Sequence, residues 1–246
     1  MSLTIIIPAY NEEKRIETTL KRLYSKFGES VEVVVIFDGN DRTPEVVSKF
    51  PAKLCVSRTR LGKGGAIKEG IKSAKGDIIL LLDADMPITE GELEKMLREI
   101  EDADLIIPYR KILGMPLIRR ILHRGFNFVV KLFFPSLIKI KDFQGGVKII
   151  KAKVAKEILN ELIINDFLID TNLIYAVKRR GLKIKQVKIN YIHDESGSKI
   201  SKKLLKIIVF MFLSIVKLRV YYSRLNWILN THWYLRAQEY ILNKLR

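Results

Sequence analysis

The sequence predicts an α/β domain with a mostly parallel central sheet and helices on both of its faces. Three observations carry this. Short aliphatic runs alternate with segments of helical spacing through the first 110 residues. The runs are continuous rather than alternating, as strands buried on both faces require. No internal repeat, low-complexity tract or Gly/Ser linker interrupts the pattern. A chain of 246 residues, 48% hydrophobic and 29% charged, is long enough for one large domain or two small ones. Cys55 stands alone, so no intramolecular disulfide can form. The opening MSLTIIIPAYNEE lacks a basic start followed by an apolar signal region and reads as a first strand.

In chain order, residues 3–7, 31–36, 53–56, 78–82 and 105–107 read as strands. Residues 12–26, 43–50, 64–75 and 90–100 have helical periodicity. Glu12 and Glu13 then fall in the first turn of the first helix, where acidic residues oppose the helix dipole. After residue 110 the pattern changes. Residues 112–140 mix apolar clusters with arginines and lysines, 144–150 return to strand, 152–162 and 170–180 read as helices, and 182–189 alternate like a half-buried strand. From Ser201 onward two helices are expected.

In open α/β sheets ligands bind beyond the carboxyl ends of the strands. That rule brings residues 8–12, 38–41 and 83–85 to one edge. The run GDIILLLDADMPI ends a buried strand in Asp83-Ala84-Asp85, and carboxylates two residues apart can share a hard cation such as Mg²⁺ or Mn²⁺. Taken alone, the pair reads equally well as a surface turn. The glycine-rich RLGKGGAIKEG (60–70) precedes a helical stretch, where backbone N–H groups and Lys63 can meet phosphate. It is neither a Walker A loop nor GxGxxG, and a flexible turn would also account for it.

The ordered set PAYNEE, strand-DGNDRT, LGKGGAIKEG and LLLDADM resembles the family-2 glycosyltransferases of GT-A fold over about the first 200 residues. DFQGGVKIIK (142–151), FLIDTNLIYAVKRRG (167–181) and GSK (197–199) are similar to segments of the polyprenyl-phosphate hexosyltransferases, the dolichyl-phosphate glucosyl branch before the mannosyl one. The resemblance implies that Pro8, Ala9, Tyr10, Glu12, Asp38, Lys63, Asp83, Ala84 and Asp85 bind a nucleotide sugar, a UDP-sugar before a GDP-sugar. It also implies that Asp83 and Asp85 carry Mg²⁺ or Mn²⁺, with His193 a further candidate ligand beside Asp194. Two departures stand out: Phe37-Asp38 replaces the usual paired aspartates, and Pro87 stands where some mannosyl relatives carry glutamine.

Asp85, Asp170 and Asp142 are the candidate catalytic carboxylates, although Asp170 could equally cap its helix. A phosphate acceptor is already anionic and needs positioning more than a base. Arg119, Arg120, Arg124, Ser198 and Lys199 are therefore candidates for binding it, each of the arginines also reading as part of a solvated helix face.

Charge divides the chain. Residues 1–110 carry 17 Lys and Arg against 19 Asp and Glu, net −2, and residues 111–246 carry 27 against 8, net +19. Such asymmetry suits a polyanionic partner, a nucleic acid or an anionic membrane, though a lysine-rich solvated surface also yields it. IIVFMFLSIV (207–216) spans only roughly 15 Å as helix, short of the ~20 residues a bilayer core needs. Flanked by lysines and followed by Tyr221, Tyr222 and Trp227, it suits an in-plane anchor; a buried core helix or a dimer contact is the plainer reading. The expected organisation is a domain over 1–200 (donor half 1–110, acceptor half 111–200) followed by interfacial helices over 201–246. The expected activity is inverting hexosyl transfer, glucose from UDP-glucose, onto dolichyl or polyprenyl phosphate at the cytoplasmic face of the cell membrane. A transferase for a soluble acceptor and a basic nucleic-acid-binding protein are the rivals. The latter is disfavoured because the basic half holds no reader motif. Oligomeric state is left open.

Overall fold

A computed structural model describes residues 1–112, 117–191 and 203–245. Among them are strands β1 (Leu3–Ala9), β2 (Glu32–Phe37), β3 (Lys53–Val56), β4 (Ile78–Leu82), β5 (Leu105–Ile112), β6 (Val147–Lys151) and β7 (Ile184–Tyr191). They form one sheet in the order β3-β2-β1-β4-β6-β5-β7. β1 pairs in parallel with β2 and β4, and β2 with β3. β6 runs antiparallel between β4 and β5, while β5 and β7 are parallel to each other. Periodicity located the strand near 144–150 but carries no information on its direction. The reversal has a consequence for the site: residues 142–146 enter β6 at the edge where β1, β2 and β4 end. Leu82 lies opposite Val147, and the next pair along joins Asp83 N–H to the Gly146 carbonyl at 3.1 Å.

The helices are α1 (Ile16–Phe27), α2 (Thr43–Val47), α3 (Gly62–Ser73), α4 (Glu90–Arg98), α5 (Leu117–Phe133), α6 (Ala152–Glu157), α7 (Ile169–Arg179), α8 (Lys203–Tyr221) and α9 (His232–Leu245). The β4 run shows why a continuous aliphatic segment was needed. Ile79 and Leu81 point into the core under α3 and α7, and Ile78, Leu80 and Leu82 point into the core under α1 and α4. Each such side chain contributes about 1.5–3 kcal/mol when fully buried. At α4 the Thr89 side chain accepts from Glu92 N–H and caps the helix.

Two of the differences from the expected elements shape the site. α1 begins at Ile16, so Glu12 and Glu13 precede it instead of forming its first turn. Asn11 has φ 56°, and Glu12 N–H and Glu13 N–H donate to Thr43 Oγ1 and Asp41 Oδ2 at 2.9 and 3.0 Å. These tertiary bonds hold the segment against the loop after β2 and delay the helix. The second is in residues 112–140, where no element was assigned: they contain α5, whose Val130 reaches the core. α8 is docked by one face only. Ser214, Ile215 and Leu218 are buried, and Ile208, Val209, Phe212 and Leu213 are exposed. Among the described residues no helix is long and apolar enough to cross a membrane.

Candidate active site

The carboxyl ends of β1, β2 and β4, the N-terminus of α3 and the 142–146 loop surround one cleft of about 1730 Å³. Pro8, Ala9, Tyr10, Glu12, Asp38, Lys63, Asp83, Ala84, Asp85 and Asp170 all line it.

Asp38 organises the glycine-rich loop. Its buried carboxylate accepts from Leu61 N–H and Gly62 N–H, both at 2.8 Å, and pairs with Arg60. Gly62 sits at φ +70°, a conformation costly for other residues, and a Cβ there would meet the Asn165 carbonyl oxygen at 2.3 Å. The Arg60 guanidinium in turn lies 3.3 Å from the centroid of the Tyr10 ring, a cation–π contact that joins the ends of β1 and β2.

Lys63 then points from the first turn of α3 into a line of alternating charge. Its Nζ lies 2.8 Å from Asp83 Oδ1 and 3.0 Å from Asp170 Oδ2. On the far side of Asp170, Lys148 Nζ lies 2.6 Å from Oδ1 and also donates to the Gly145 carbonyl. Burial raises the cost of ionising Asp170, but Lys148 and Lys63 outweigh it and hold the carboxyl below its usual range. Burial would likewise lower Lys63, and Asp170 and Asp83 overcome it, so this ammonium stays charged. Lys148 is pushed down by burial and by the Lys63 charge. Asp170 thus lies inside the first turn of α7 without capping it; its two oxygens serve the lysines.

Asp83 and Asp85 differ although one residue separates them. Asp83 Oδ1 is taken by Lys63, and Oδ2 lies so near Gly146 that a Cβ there would come within 1.8 Å. Asp85 faces the cleft, and the protein atoms crowding it and the Asp83 charge raise its pKa. Glu12 is raised by burial too, against the pull of Arg15 at 2.8 Å. The loop carrying Asp85 is held from below: Thr19 Oγ1 donates to the Ala84 carbonyl at 2.7 Å, and Arg22 to those of Met86 and Ile88.

The remaining expected residues divide. Asp142 does not line the cleft. Its carboxylate is bidentate to Arg110 and accepts Gln144 N–H at 3.0 Å, and although burial opposes ionisation, Arg110 keeps it ionised. A carboxylate so engaged is a poor proton acceptor. Arg120 and Arg124 are exposed on α5, away from the lining, and the side chain of Arg119 lies outside the described residues, as do His193, Ser198 and Lys199. In their place Arg110, His123 and Gln144 line the cleft, with His123 Nδ1 3.3 Å from Gln144 Oε1 and Asn127 Nδ2 3.0 Å from His123 Nε2. Lys148 and Gln144 stood within the quoted DFQGGVK stretch and Arg60 opened RLGKGGAIKEG; Arg110 and His123 carried no signal of their own.

The cleft continues away from these charges between α5 and α8. Ile121, Phe126 and Phe128 of α5, Met211, Phe212 and Leu213 of α8, and Ile228, Leu229 and Trp233 line this part. Phe128 is 68% and Trp233 62% exposed, so this wall is open to its surroundings.

Residues 4–159 match the model of the family described as Glycosyl transferase family 2. The chain belongs to that family. It is an enzyme that transfers glycosyl groups. It is 33% identical over 202 residues to an uncharacterized protein of Methanocaldococcus jannaschii, covering 78% of this chain and 82% of that protein. It is 27% identical over 227 residues to human dolichyl-phosphate beta-glucosyltransferase, covering 80% and 69%. In fold this glycosyltransferase is similar to Mycobacterium tuberculosis glucosyl-3-phosphoglycerate synthase, with TM-score 0.71, 18% identity and coverage of 89% and 80%. That enzyme has been crystallised with Mn²⁺, UDP and glucosyl-3-phosphoglycerate.

The donor set fits a divalent cation of the kind the family implies. Asp83 and Asp85 offer hard oxygen ligands, and burial followed by the Asp83 charge raises Asp85, a cost of ionisation that a bound cation would offset. Among the described residues no group of three His, Cys, Asp or Glu is arranged to hold a metal. Two protein ligands therefore suit an ion that completes its shell with donor phosphates and water.

Proposed function

We propose that this glycosyltransferase moves glucose from UDP-glucose, with inversion, onto a polyprenyl phosphate such as dolichyl phosphate at the cytoplasmic face of the cell membrane. The observation that carries the reading is the continuity of one cleft from a carboxylate–lysine cluster to an exposed apolar wall. A polar donor and a lipid-linked acceptor need these two environments within reach of each other. The names of the dolichyl-phosphate relatives support the same acceptor.

The residues divide the task. Pro8, Ala9, Tyr10, Glu12 and Asp38 surround the nucleoside, and Asp83 and Asp85 hold Mg²⁺ or Mn²⁺, which stabilises the charge that builds on the departing UDP. Lys63 places a fixed positive charge beside those carboxylates. Asp170 and Asp142 are held ionised by their cations and so orient Lys63, Lys148 and Arg110; no proton needs to leave an acceptor that is already a phosphate anion. Arg110 lines the cleft and joins Arg119, Arg120, Arg124, Ser198 and Lys199 as a candidate to bind the acceptor phosphate. The α5 and α8 faces, with the basic second half, rest on an anionic leaflet, where each nearby Lys or Arg contributes about 1 kcal/mol.

Incubation with radiolabelled UDP-glucose, Mn²⁺ and dolichyl phosphate tests this by extraction into organic solvent. Label in the organic phase is expected, and Asp85→Asn is expected to abolish it with the circular dichroism spectrum unchanged. Full activity of that variant, or transfer only to water-soluble acceptors, refutes the reading.

A further inference from the structure

Asp83 is already engaged within the protein, and this bears on how donor and metal enter. Oδ1 is held by Lys63 at 2.8 Å, and Oδ2 is packed against Gly146. Asp85, on the same loop, carries no ion pair among the described residues. The Lys63 side chain is only 13% exposed, and Asp170 holds it from behind at 3.0 Å. It cannot turn away into bulk water. It lines the cleft.

We propose that Lys63 is the resident cation of the metal-binding carboxylate, which it gives up only when a nucleoside diphosphate arrives to take its charge. This rests on the reading above that Asp83 and Asp85 hold a divalent ion with a nucleotide sugar. Charge counting supplies the reason. The series Lys148, Asp170, Lys63, Asp83 alternates in sign and is balanced, with each contact at 3.0 Å or less. A divalent cation added alone to Asp83 would face the Lys63 ammonium within a few ångströms, and that ammonium is only 13% exposed. A diphosphate added with the metal restores the balance: its oxygens accept from Lys63, and Asp83 Oδ1 is freed. Lys63 therefore couples the two binding events, and the coupling is reciprocal. Asp170 is a positioning residue in this arrangement, keeping the ammonium at the junction whichever partner it holds.

Mn²⁺ binding to the full chain, read from the electron paramagnetic resonance signal of free Mn²⁺, tests the coupling without turnover. In the wild-type protein UDP is expected to tighten Mn²⁺ by about tenfold or more, within the usual range of such couplings. Lys63→Met is expected to bind Mn²⁺ alone about tenfold more tightly than wild type and to lose most of the UDP effect. Lys63→Arg, which keeps the charge, should retain it. Equal Mn²⁺ affinity of wild type and Lys63→Met without UDP overturns the proposal. Should Lys63→Met not fold, wild type that binds Mn²⁺ as tightly without UDP as with it overturns the proposal equally. Mn²⁺ binding that Asp85→Asn leaves untouched, with or without UDP, defeats the underlying metal reading as well, so the two failures are told apart.

Discussion

The two ends of the cleft are built on opposite principles. At the donor end the most deeply buried carboxylates are paired: Asp38 with Arg60, Asp170 with Lys63 and Lys148, Asp142 with Arg110. At the α5–α8 end the walls are apolar, and large side chains such as Phe128 and Phe212 stand exposed. A site for a charged, reacting group must be fixed before the ligand arrives, because buried charges tolerate little displacement. A surface for a long apolar molecule needs area and access, and its contacts are individually weak. Damage at the donor end should accordingly be local and severe, and damage at the other end graded.

The largest effect on stability is expected from Arg110→Met. It leaves the Asp142 carboxylate, whose side chain is 3% exposed, without its bidentate partner. Breaking a buried pair from one side costs about 3–5 kcal/mol, measurable by urea unfolding at neutral pH. Because the folded-state pKa of Asp142 is depressed, its contribution is fully present above about pH 4, the unfolded carboxyl value, and is lost as pH falls through the lower folded value. The gap between wild type and variant should therefore narrow on acidification; a gap independent of pH would contradict the ion-pair account.

Gly146→Ala should come next. Its Cβ would meet Asp83 Oδ2 at 1.8 Å, so the carboxylate or the loop has to shift. Overpacking of this kind costs about 1–3 kcal/mol. A fall in Mn²⁺–UDP affinity, seen by calorimetry, should exceed the fall in melting temperature. Unchanged nucleotide affinity would show that Asp83 is not held in register by this contact.

The smallest effect belongs to the apolar end. Phe128→Asp with Phe212→Asp should weaken sedimentation with anionic vesicles by about tenfold, or ~1.4 kcal/mol, and leave UDP binding as it was. Vesicle binding unaffected by the double change would remove the α5–α8 face from the membrane reading, and loss of UDP binding would show the two ends to be one unit.

Much of this was legible in the chain. The continuous run at 78–82 read as a strand buried on both faces, and strand–helix alternation placed Pro8–Tyr10, Asp38 and Asp83–Asp85 at one edge, because parallel sheets collect their carboxyl ends on the same side. Family motifs made Lys63 and Asp170 candidates. Local pattern said nothing of how they meet: they are 107 residues apart and share an ion pair because α3 and α7 begin side by side. Asp142 and Asp170 looked alike as isolated aspartates, yet one lines the cleft and the other lies behind Arg110.

Composition and spacing within about ten residues suffice for most of the elements, the sheet edge and the partition of charge between halves, though not for α5. The direction of β6, the late start of α1 at Ile16 and the Lys63–Asp83 ion pair arise only in the folded chain. Each of these is settled by contacts between segments distant in the chain, whose strength depends on burial and approach that no local pattern encodes.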